Sequence, residues 1–337
     1  MPVRTEWLAQ VSEPAIDPQL VIVDAHHHLW DRPENRYLLG DYLGDIDSGH
    51  RVVASVYVQC RSMFNMDRPE SSRCVGEVEF ANGIAALSAS GLYGESRICS
   101  AIVAGADLRL GQAAVPVLEE MVERAGPRLQ GIRNTTAWHA DPLVVTNPKP
   151  PPPGILADTH FRKGVSCLKD YDLVLDVWGY HTQLEEVLQL ARSFPNQVIV
   201  LDHVGGPVGV GPYAGRREEV FADWSRQIGQ LANCPNVLVK LGGLGMSVGG
   251  FALHTRDLPP DSDTLAALWR PYILHCIESF GVERCMFESN FPVDKGMYSY
   301  GVMWNAFKKI TADFSAGEKR FLFSQTAAYT YNLTIPD

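Results

Sequence analysis

The chain has 337 residues, with 29 Lys or Arg against 39 Asp or Glu, so its formal net charge at pH 7 is −10. This charge argues against nucleic acid or an anionic membrane as a partner, and no uninterrupted apolar run reaches the length of a membrane span. With 46% hydrophobic and 20% charged residues, the composition is that of a globular protein rather than a disordered one. Small molecules are the expected ligands, and the oligomeric state is left open between a monomer and a homo-oligomer.

The cysteines and the amino terminus bear on the compartment. Seven cysteines are widely spread without a CxxC pair, which is typical of reduced thiols in a cytosol. Residues 1–19 carry charged and polar side chains throughout and lack the apolar core of a signal peptide. We therefore predict a cytoplasmic protein.

Short β-branched apolar runs recur along the chain, and most are followed by a polar or glycine-rich turn and a helix-like segment. Eight runs are predicted as strands: Val21–Trp30, Val52–Arg61, Cys99–Leu108, Leu129–Trp138, Tyr171–Tyr180, Gln197–Gly205, Asn236–Leu244 and Cys285–Pro292. Amphipathic segments between them predict helices, most clearly at Thr182–Ser193, Ala222–Ala232 and Leu265–Phe280.

Hydrophobicity within the predicted strands is continuous rather than alternating, which indicates a parallel sheet buried on both faces. Eight such strands alternating with helices favour a single-domain (β/α)8 TIM barrel. We place the barrel at residues 21–333, between an amino-terminal tail of residues 1–20 and a carboxy-terminal tail of residues 334–337. The proline-rich segment Asn147–Gly154 falls between strands four and five and is predicted to be a stiff loop at the barrel mouth.

Catalytic groups of such barrels come from the carboxyl ends of the strands. Strand one ends in Asp24-Ala25-His26-His27-His28, and the period of two points His26 and His28 to one side, into the mouth. His203 ends strand six before a glycine turn that exposes it. Paired imidazoles with a third from another strand can bind a divalent metal or donate to a substrate carbonyl.

The eighth strand ends in Phe287-Glu288-Ser289-Asn290-Phe291-Pro292, where Glu288 and Asn290 share a face. A carboxylate buried at that depth is costly unless it is paired or protonated. Asp294 follows just beyond the strand.

Other strand ends predict a substrate pocket. The candidate substrate-binding residues are Trp30, Gln59, Arg61, Arg133, Trp178 and His181. Arginines at a barrel mouth are suited to bidentate capture of a carboxylate, and tryptophans can flank a planar ring. These residue types predict an acidic substrate.

Two further motifs point to different chemistry. Gly245-Met246-Ser247-Val248-Gly249 fits the GxSxG pattern of a serine nucleophile, with His275 downstream, but the chain continues through a proline-containing loop instead of entering a helix. A serine hydrolase using Ser247 is therefore a minor alternative. The glycine cluster of residues 205–211 is broken by proline and does not predict NAD binding.

The segments VDAHHHLWD, FPNQVIVLDHVGGP and MFESNFPVD resemble the amidohydrolase-related (amidohydrolase 2) family of metal-dependent barrel hydrolases. The similar branch contains 2-pyrone-4,6-dicarboxylate lactonase, 4-sulfomuconolactone hydrolase and sugar-acid lactonases. The resemblance covers essentially the whole chain. It implies a (β/α)8 barrel in which a strand-eight aspartate activates water, while the strand-one HxH and the strand-six histidine hold a metal or polarise the carbonyl.

Carried onto this sequence, the resemblance matches His26, His28 and His203, but Asn290 stands where the family has its aspartate. An amide cannot accept the proton. Three interpretations stay open: Glu288 has taken over the carboxylate role, Asp294 reaches back over the mouth, or the site needs no base because it does not hydrolyse its ligand.

The sequence therefore predicts a hydrolase that opens a lactone or a related activated carbonyl compound, derived from a carboxylated aromatic or a sugar acid. A nonoxidative decarboxylase of an aromatic acid and a non-catalytic binding barrel are the alternatives. The cofactor is either none or a divalent Zn or Mn on His26, His28 and His203. Such a metal is expected to bind weakly or not at all, because three neutral imidazoles form the ligand set unless Glu288 joins it.

Overall fold

The computed structural model describes residues 3–33, 35–147 and 149–336. Within them, eight parallel strands form one sheet whose spatial order follows the order of the chain. The strands are β1 Ile22–His27, β2 Val52–Val58, β3 Arg97–Ala104, β4 Leu129–Thr135, β5 Val174–Trp178, β6 Ile199–Leu201, β7 Val237–Leu241 and β8 Cys285–Phe287. All eight begin within or just before the predicted runs. They end earlier, because the polar residues that follow turn into the loops of the mouth.

The sheet closes between its first and last strands. The backbone N–H of His28 donates to the carbonyl of Phe291 at 2.8 Å, and the N–H of Asn290 donates to the carbonyl of His26 at 2.9 Å. A parallel bridge joins His27 to Phe291. Closure brings the carboxyl ends of β1 and β8 side by side, so that their polar residues share one mouth. The fold is the predicted single-domain (β/α)8 barrel.

Helices cover the outer face of the sheet. Their bounds are α1 Thr5–Leu8, α2 Leu39–Ile46, α3 Val75–Ala89, α4 Val115–Ala125, α5 Thr159–Cys167, α6 Leu184–Ser193, α7 Arg217–Leu231, α8 Ser262–Phe280, α9 Tyr300–Ile310, α10 Ala316–Arg320 and α11 Thr326–Thr330. A short antiparallel hairpin of Trp30–Arg32 and Asn35–Tyr37 follows β1. Across the described ranges, no helix is both long and apolar enough to cross a bilayer.

The three predicted helices are present as α6, α7 and α8. Leu184–Ser193 and Ser262–Phe280 end where predicted, and α7 begins earlier, at Arg217. Helix α8 begins at Ser262, before the predicted start at Leu265, because Asp261 caps it by accepting a hydrogen bond from the backbone N–H of Thr264.

The segment before β1 packs on the barrel. Trp7 in α1 is buried, and Glu13 accepts hydrogen bonds from Ser262 and Asn305. The division of the chain into a tail of residues 1–20, the barrel and a tail of residues 334–337 stays a prediction.

The barrel interior changes character from bottom to top. Its lower part is an apolar cluster that includes Val23, Val56, Met286 and Tyr331, and the Tyr331 hydroxyl donates to the Asp176 carboxylate. Above this cluster lie fully buried charged side chains of β5 to β7, and histidines occupy the mouth. A TIM barrel fills its interior with side-chain layers, and here only the lower layers are apolar. The charged layer above them positions the site.

Candidate active site

A cavity of about 840 Å³ opens at the carboxyl ends of the strands, and it is called the mouth cavity here. Its lining residues are His28, Trp30, Arg32, Gln59, Cys60, Arg61, Phe64, Arg133, Asn134, Thr135, Val145, Thr146, Asn147, Lys149, Trp178, His203, Met246, Ser247, Asn290 and Val293. Among the described residues, no Asp or Glu lines this cavity, whereas four cations do. Part of the proline-rich loop forms one wall, at the position predicted from the sequence.

The three singled-out histidines meet at the cavity floor. His26 Nε2 lies 3.2 Å from His28 Nε2, and the rings of His26 and His203 have centroids 4.6 Å apart. His27, between the pair, points outward and stacks on Tyr42 with centroids 4.2 Å apart. The period of two therefore places His26 and His28 together and removes His27, although the pairing of β1 with β2 is irregular between Asp24 and His27.

Glu288 bridges two of these histidines from behind. Its Oε1 lies 2.6 Å from His203 Nδ1 and accepts the backbone N–H of His203 at 3.1 Å, and its Oε2 lies 2.9 Å from His26 Nδ1. Burial opposes ionisation of the carboxyl, but the adjacent His203 and His26 outweigh it and lower the pKa of Glu288. Glu288 is fully buried and does not line the mouth cavity. The carboxylate is therefore placed to orient imidazoles rather than to touch a ligand.

These contacts assign the imidazole tautomers. Because an ionised carboxylate only accepts hydrogen bonds, His203 carries its proton on Nδ1 and turns the opposite ring edge, with Nε2, toward the cavity. His28 Nδ1 lies 2.7 Å from the carbonyl oxygen of Val58, so it too carries a proton there. Burial, with His26 and Arg133 nearby, lowers the pKa of His28 well below its ordinary value and keeps the ring neutral.

Beneath the histidines lies a buried charged layer made of Asp176, Asp202 and Lys240. The Lys240 ammonium lies 2.5 Å from Asp176 Oδ2 and 3.1 Å from Asp202 Oδ1, and all three side chains are inaccessible to solvent. Arg133 Nη1 reaches Asp202 Oδ2 at 2.9 Å. Burial opposes the charge on Asp202, but Lys240 and His26 outweigh burial and hold the pKa of Asp202 well below its ordinary value.

The same layer keeps His26 neutral. Burial and the Lys240 ammonium, 3.4 Å from His26 Nδ1, lower the pKa of His26 to about 4. The structure pairs Lys240 with Asp176 and Asp202. None of the three was singled out from the sequence as a member of the site. The signal was present in the sequence, because each of the three interrupts an apolar strand run.

Asp294 does not reach the mouth cavity. Its Oδ1 accepts Asn290 Nδ2 at 2.9 Å, and its Oδ2 accepts the Tyr298 hydroxyl at 2.6 Å and the Gly245 N–H at 2.9 Å. Burial, only partly offset by the Tyr298 hydrogen bond, raises the pKa of Asp294 to about 6. Asn290 itself lines the cavity. The interpretation in which Asp294 reaches over the mouth as the base therefore has no geometric support. Asp294 instead accepts a hydrogen bond from Asn290 and holds that side chain in place.

Five of the six predicted substrate-binding residues line the mouth cavity: Trp30, Gln59, Arg61, Arg133 and Trp178. His181 is the exception. It is buried at the base of α6, where its Nδ1 accepts the N–H of Val208 at 3.3 Å and its ring packs edge-on against Tyr213. The sequence correctly places His181 after β5, but its side chain turns away from the mouth and packs against neighbouring residues.

Two glycines make room for the His203 and Glu288 pair. A Cβ at Gly242 would lie 2.5 Å from Glu288 Cγ, and one at Gly243 would lie 2.4 Å from His203 Nδ1. Gly243 also has φ +65°, a left-handed conformation that favours glycine. The Gly242-Gly243 pair was not singled out from the sequence, and its role becomes visible only once β7 is seen beside β6 and β8.

Ser247 lines the cavity but lacks the surroundings of a nucleophile elbow. It starts a single 3-10 turn, Ser247–Gly249, rather than a helix. His275 Nε2 lies 2.9 Å from the carbonyl oxygen of Ser225, packed against Trp224 on the outer face of the barrel. The serine-hydrolase alternative therefore lacks its base.

The donor set at the floor is compatible with a divalent metal. His26 and His28 are both neutral, their Nδ1 atoms face the Glu288 carboxylate and the Val58 carbonyl, and their Nε2 atoms converge at 3.2 Å. Histidine ligands of metals are typically oriented by such outer hydrogen bonds. The Arg133 guanidinium, 3.2 Å from His26 Nε2, already supplies positive charge at the same place. A metal here would have imidazole ligands and a competing cation.

The site is thus a closed parallel barrel with strand-one and strand-six histidines at its carboxyl-terminal mouth. The sequence model of the Amidohydrolase family matches residues 23–333, and the chain belongs to that family. It is thus a hydrolase.

Individual relatives span nearly the whole chain. An uncharacterised protein of Sinorhizobium fredii is 32% identical over 93% of this chain and 99% of its own length. An L-fucono-1,5-lactonase of Burkholderia multivorans is 28% identical over 93% of this chain and 97% of its own. The crystal structure of an amidohydrolase from Burkholderia multivorans with bound zinc is 25% identical, with a TM-score of 0.71, covering 93% of this chain and 100% of that one.

Proposed function

We propose that this protein hydrolyses a lactone that carries a carboxylate. The observation that carries the proposal is the His203 imidazole, held by Glu288 on Nδ1 and presented to a cavity whose other charged groups are cationic. The L-fucono-1,5-lactonase relative supports a lactone as the substrate class.

His203 is the proposed general base. Its Nε2 takes a proton from water as the water oxygen attacks the lactone carbonyl carbon, and the ionised Glu288 stabilises the imidazolium that forms. When the ring ester bond breaks, the same imidazolium returns the proton to the departing alkoxide oxygen. This assignment differs from the interpretation in which Glu288 itself deprotonates the water. Glu288 lies behind the imidazole and does not line the cavity.

Negative charge that develops on the carbonyl oxygen is stabilised by the Arg133 guanidinium, which lines the cavity beside His26 and His28. Asp202 and the carbonyl oxygen of Gln59, which accepts Arg133 Nη2 at 2.5 Å, fix that guanidinium in place. A donor held in advance stabilises the transition state without reorganisation.

If a metal is bound, His26 and His28 would hold it through their Nε2 atoms. His203, the third ligand predicted from the sequence, would not be one of its ligands in this mechanism, because its Nε2 accepts the proton. The metal would supply Lewis-acid polarisation of the carbonyl. Zn and Mn are the metals that we propose for this site, if it holds one.

All seven cysteines are free thiols. This supports the proposal of an enzyme in a reducing cytoplasm. Assembly into a homo-oligomer stays a prediction.

The proposal is tested by assaying hydrolysis of a panel of carboxylated and neutral lactones with the chelator-treated protein and with the protein supplemented with Zn or Mn. We expect carboxylated lactones to be preferred, and His203→Asn to lose activity. His275→Asn is the matched control, because that histidine lies outside the site. Hydrolysis that is unaffected by His203→Asn, or no hydrolysis of any lactone in either metal condition, contradicts the proposal.

A further inference from the structure

A second cavity of about 660 Å³, called the outer lobe here, adjoins the mouth cavity. The two share a wall around Arg61, Phe64 and Lys149 and lie on either side of it. The outer lobe is otherwise lined by Ser71, Ala106, Leu110, Pro151 and Ile155, among others. A lactone ring with one carboxylate does not need both volumes, since the mouth cavity alone is within the range of drug-sized ligand sites.

Arg61 is held at the junction of the two cavities. Its backbone has φ +61°, an uncommon left-handed conformation for an arginine. Its guanidinium donates to Asn147 Oδ1 at 2.6 Å, Thr135 Oγ1 at 3.0 Å and the Lys149 carbonyl at 3.2 Å. All three acceptors are neutral, so in the described part of the chain this fixed cation has no ion-pair partner.

The charges farther out are arranged differently. Arg109, in the wall of the outer lobe, is paired with Asp107 at 2.7 Å. Glu70 is the other charged group in the part of the wall that the mouth cavity does not share, and most of the rest is apolar, as at Leu110 and Ile155. An anionic group is therefore attracted to the junction at Arg61 and Lys149, and an uncharged group is favoured beyond it.

We propose that the outer lobe is a substrate subsite that holds an uncharged, apolar substituent of about the size of an aromatic ring. This substituent belongs to the same molecule whose carboxylate binds at Arg61. The inference rests on the proposed function, because it places the lactone in the mouth cavity. The substrate is then a lactone acid with an apolar arm rather than a bare sugar lactone.

The test compares two stable anionic probes, succinate and benzylsuccinate, by titration calorimetry against the full-length protein. Both probes carry two carboxylates, so the difference in affinity reports the benzyl group alone. Burial of that ring should make benzylsuccinate bind about tenfold to a hundredfold more tightly. Ser71→Trp, at an exposed position that lines the outer lobe, should reduce the preference to about threefold or less.

Ser72→Trp is the matched control, because the neighbouring serine lies in the same short 3-10 turn without lining the lobe, and it should keep the preference. Ala106→Phe is a second way of filling the lobe, accepted only if its thermal unfolding matches the parent. Equal affinities for the two probes in the parent, including no measurable binding of either, overturn the subsite. So does a preference that survives both lobe-filling variants. Binding does not require turnover, so failure of the lactone assays and failure of the subsite are separate outcomes.

Discussion

The buried charged layer and the cavity junction both contain cations, but they use them differently. Lys240 and Arg133 are matched by Asp176 and Asp202 within hydrogen-bond distance. Arg61 at the junction donates only to neutral oxygens. The comparison teaches that buried carboxylates hold Lys240 and Arg133 in fixed positions, whereas Arg61 is available to pair with an anionic ligand. Loss of a paired group should disturb folding or catalysis, and loss of the unpaired one should disturb binding.

Glu288→Gln has the largest expected effect, because it replaces the carboxylate that fixes the His203 tautomer with a group of the same volume. An amide can donate to Nδ1 and so favour the tautomer that has its proton on Nε2. We expect kcat for the best lactone to fall by about 10²- to 10⁴-fold, the range for loss of general-base catalysis.

The control for this loss is Glu13→Gln, which alters a structural carboxylate that accepts from Ser262 and Asn305 away from the mouth. A Glu288→Gln enzyme that folds and retains the parent kcat would refute the carboxylate–histidine pair. If Glu288→Gln lowered the thermal stability without lowering kcat, Glu288 would have a structural role only.

Lys240→Met should act first on stability. It removes the cation between two buried carboxylates, and breaking a buried ion pair from one side typically destabilises by about 3–5 kcal/mol. The free energy of unfolding in urea measures this loss. The control is Lys309→Met, whose partner Asp263 is exposed and where an effect of about 0–1 kcal/mol is expected. Equal effects at the two lysines would mean that the buried layer is not held by charge.

Asn290→Asp should be pH-dependent, because it puts a second carboxyl against Asp294, 2.9 Å from its Oδ1. The pKa of Asp294 in the folded protein, about 6, already lies above its ordinary 3.8, so the folded state binds more protons than the unfolded state between those values and loses stability as pH rises through that window. A second carboxyl beside Asp294 disfavours ionisation of both groups, so the pH range over which the folded state loses stability extends to higher pH.

We therefore expect the Asn290→Asp variant to lose more stability than the parent between pH 5 and pH 8, in the range of about 1–3 kcal/mol for an unsatisfied buried group. Thermal unfolding across pH measures it. The exchanged pair Asn290→Asp with Asp294→Asn should restore the parent profile, and a single variant with the parent's pH dependence would show that the two side chains do not interact.

Arg61→Met has the smallest expected effect. It keeps the length of the side chain near the junction while removing the cation, so KM for a carboxylated lactone should rise by about tenfold or more with kcat nearly unchanged, the magnitude of a charge-assisted hydrogen bond. A neutral lactone serves as the internal control and should show no change in KM. If kcat falls for both lactones instead, Arg61 belongs to the chemistry rather than to ligand binding.

Much of this comparison was accessible from the sequence. The barrel, the convergence of strand-one and strand-six histidines and the arginines of the mouth follow from strand periodicity and the ends of apolar runs. The orientation of Glu288 behind His203 does not, because it depends on the side-by-side placement of β6, β7 and β8. The burial of His181 likewise depends on packing against α6 and α7, which the sequence pattern does not resolve.

The central claim is that the imidazole of residue 203 moves the proton during lactone opening. The direct measurement is chemical rescue: hydrolysis of the best carboxylated lactone by His203→Ala, with increasing free imidazole, in chelator-treated and zinc-supplemented protein. The account predicts a saturable rise in rate with imidazole that His275→Ala does not show. No rescue in either metal condition, with a parent rate that simply follows zinc loading, would contradict it.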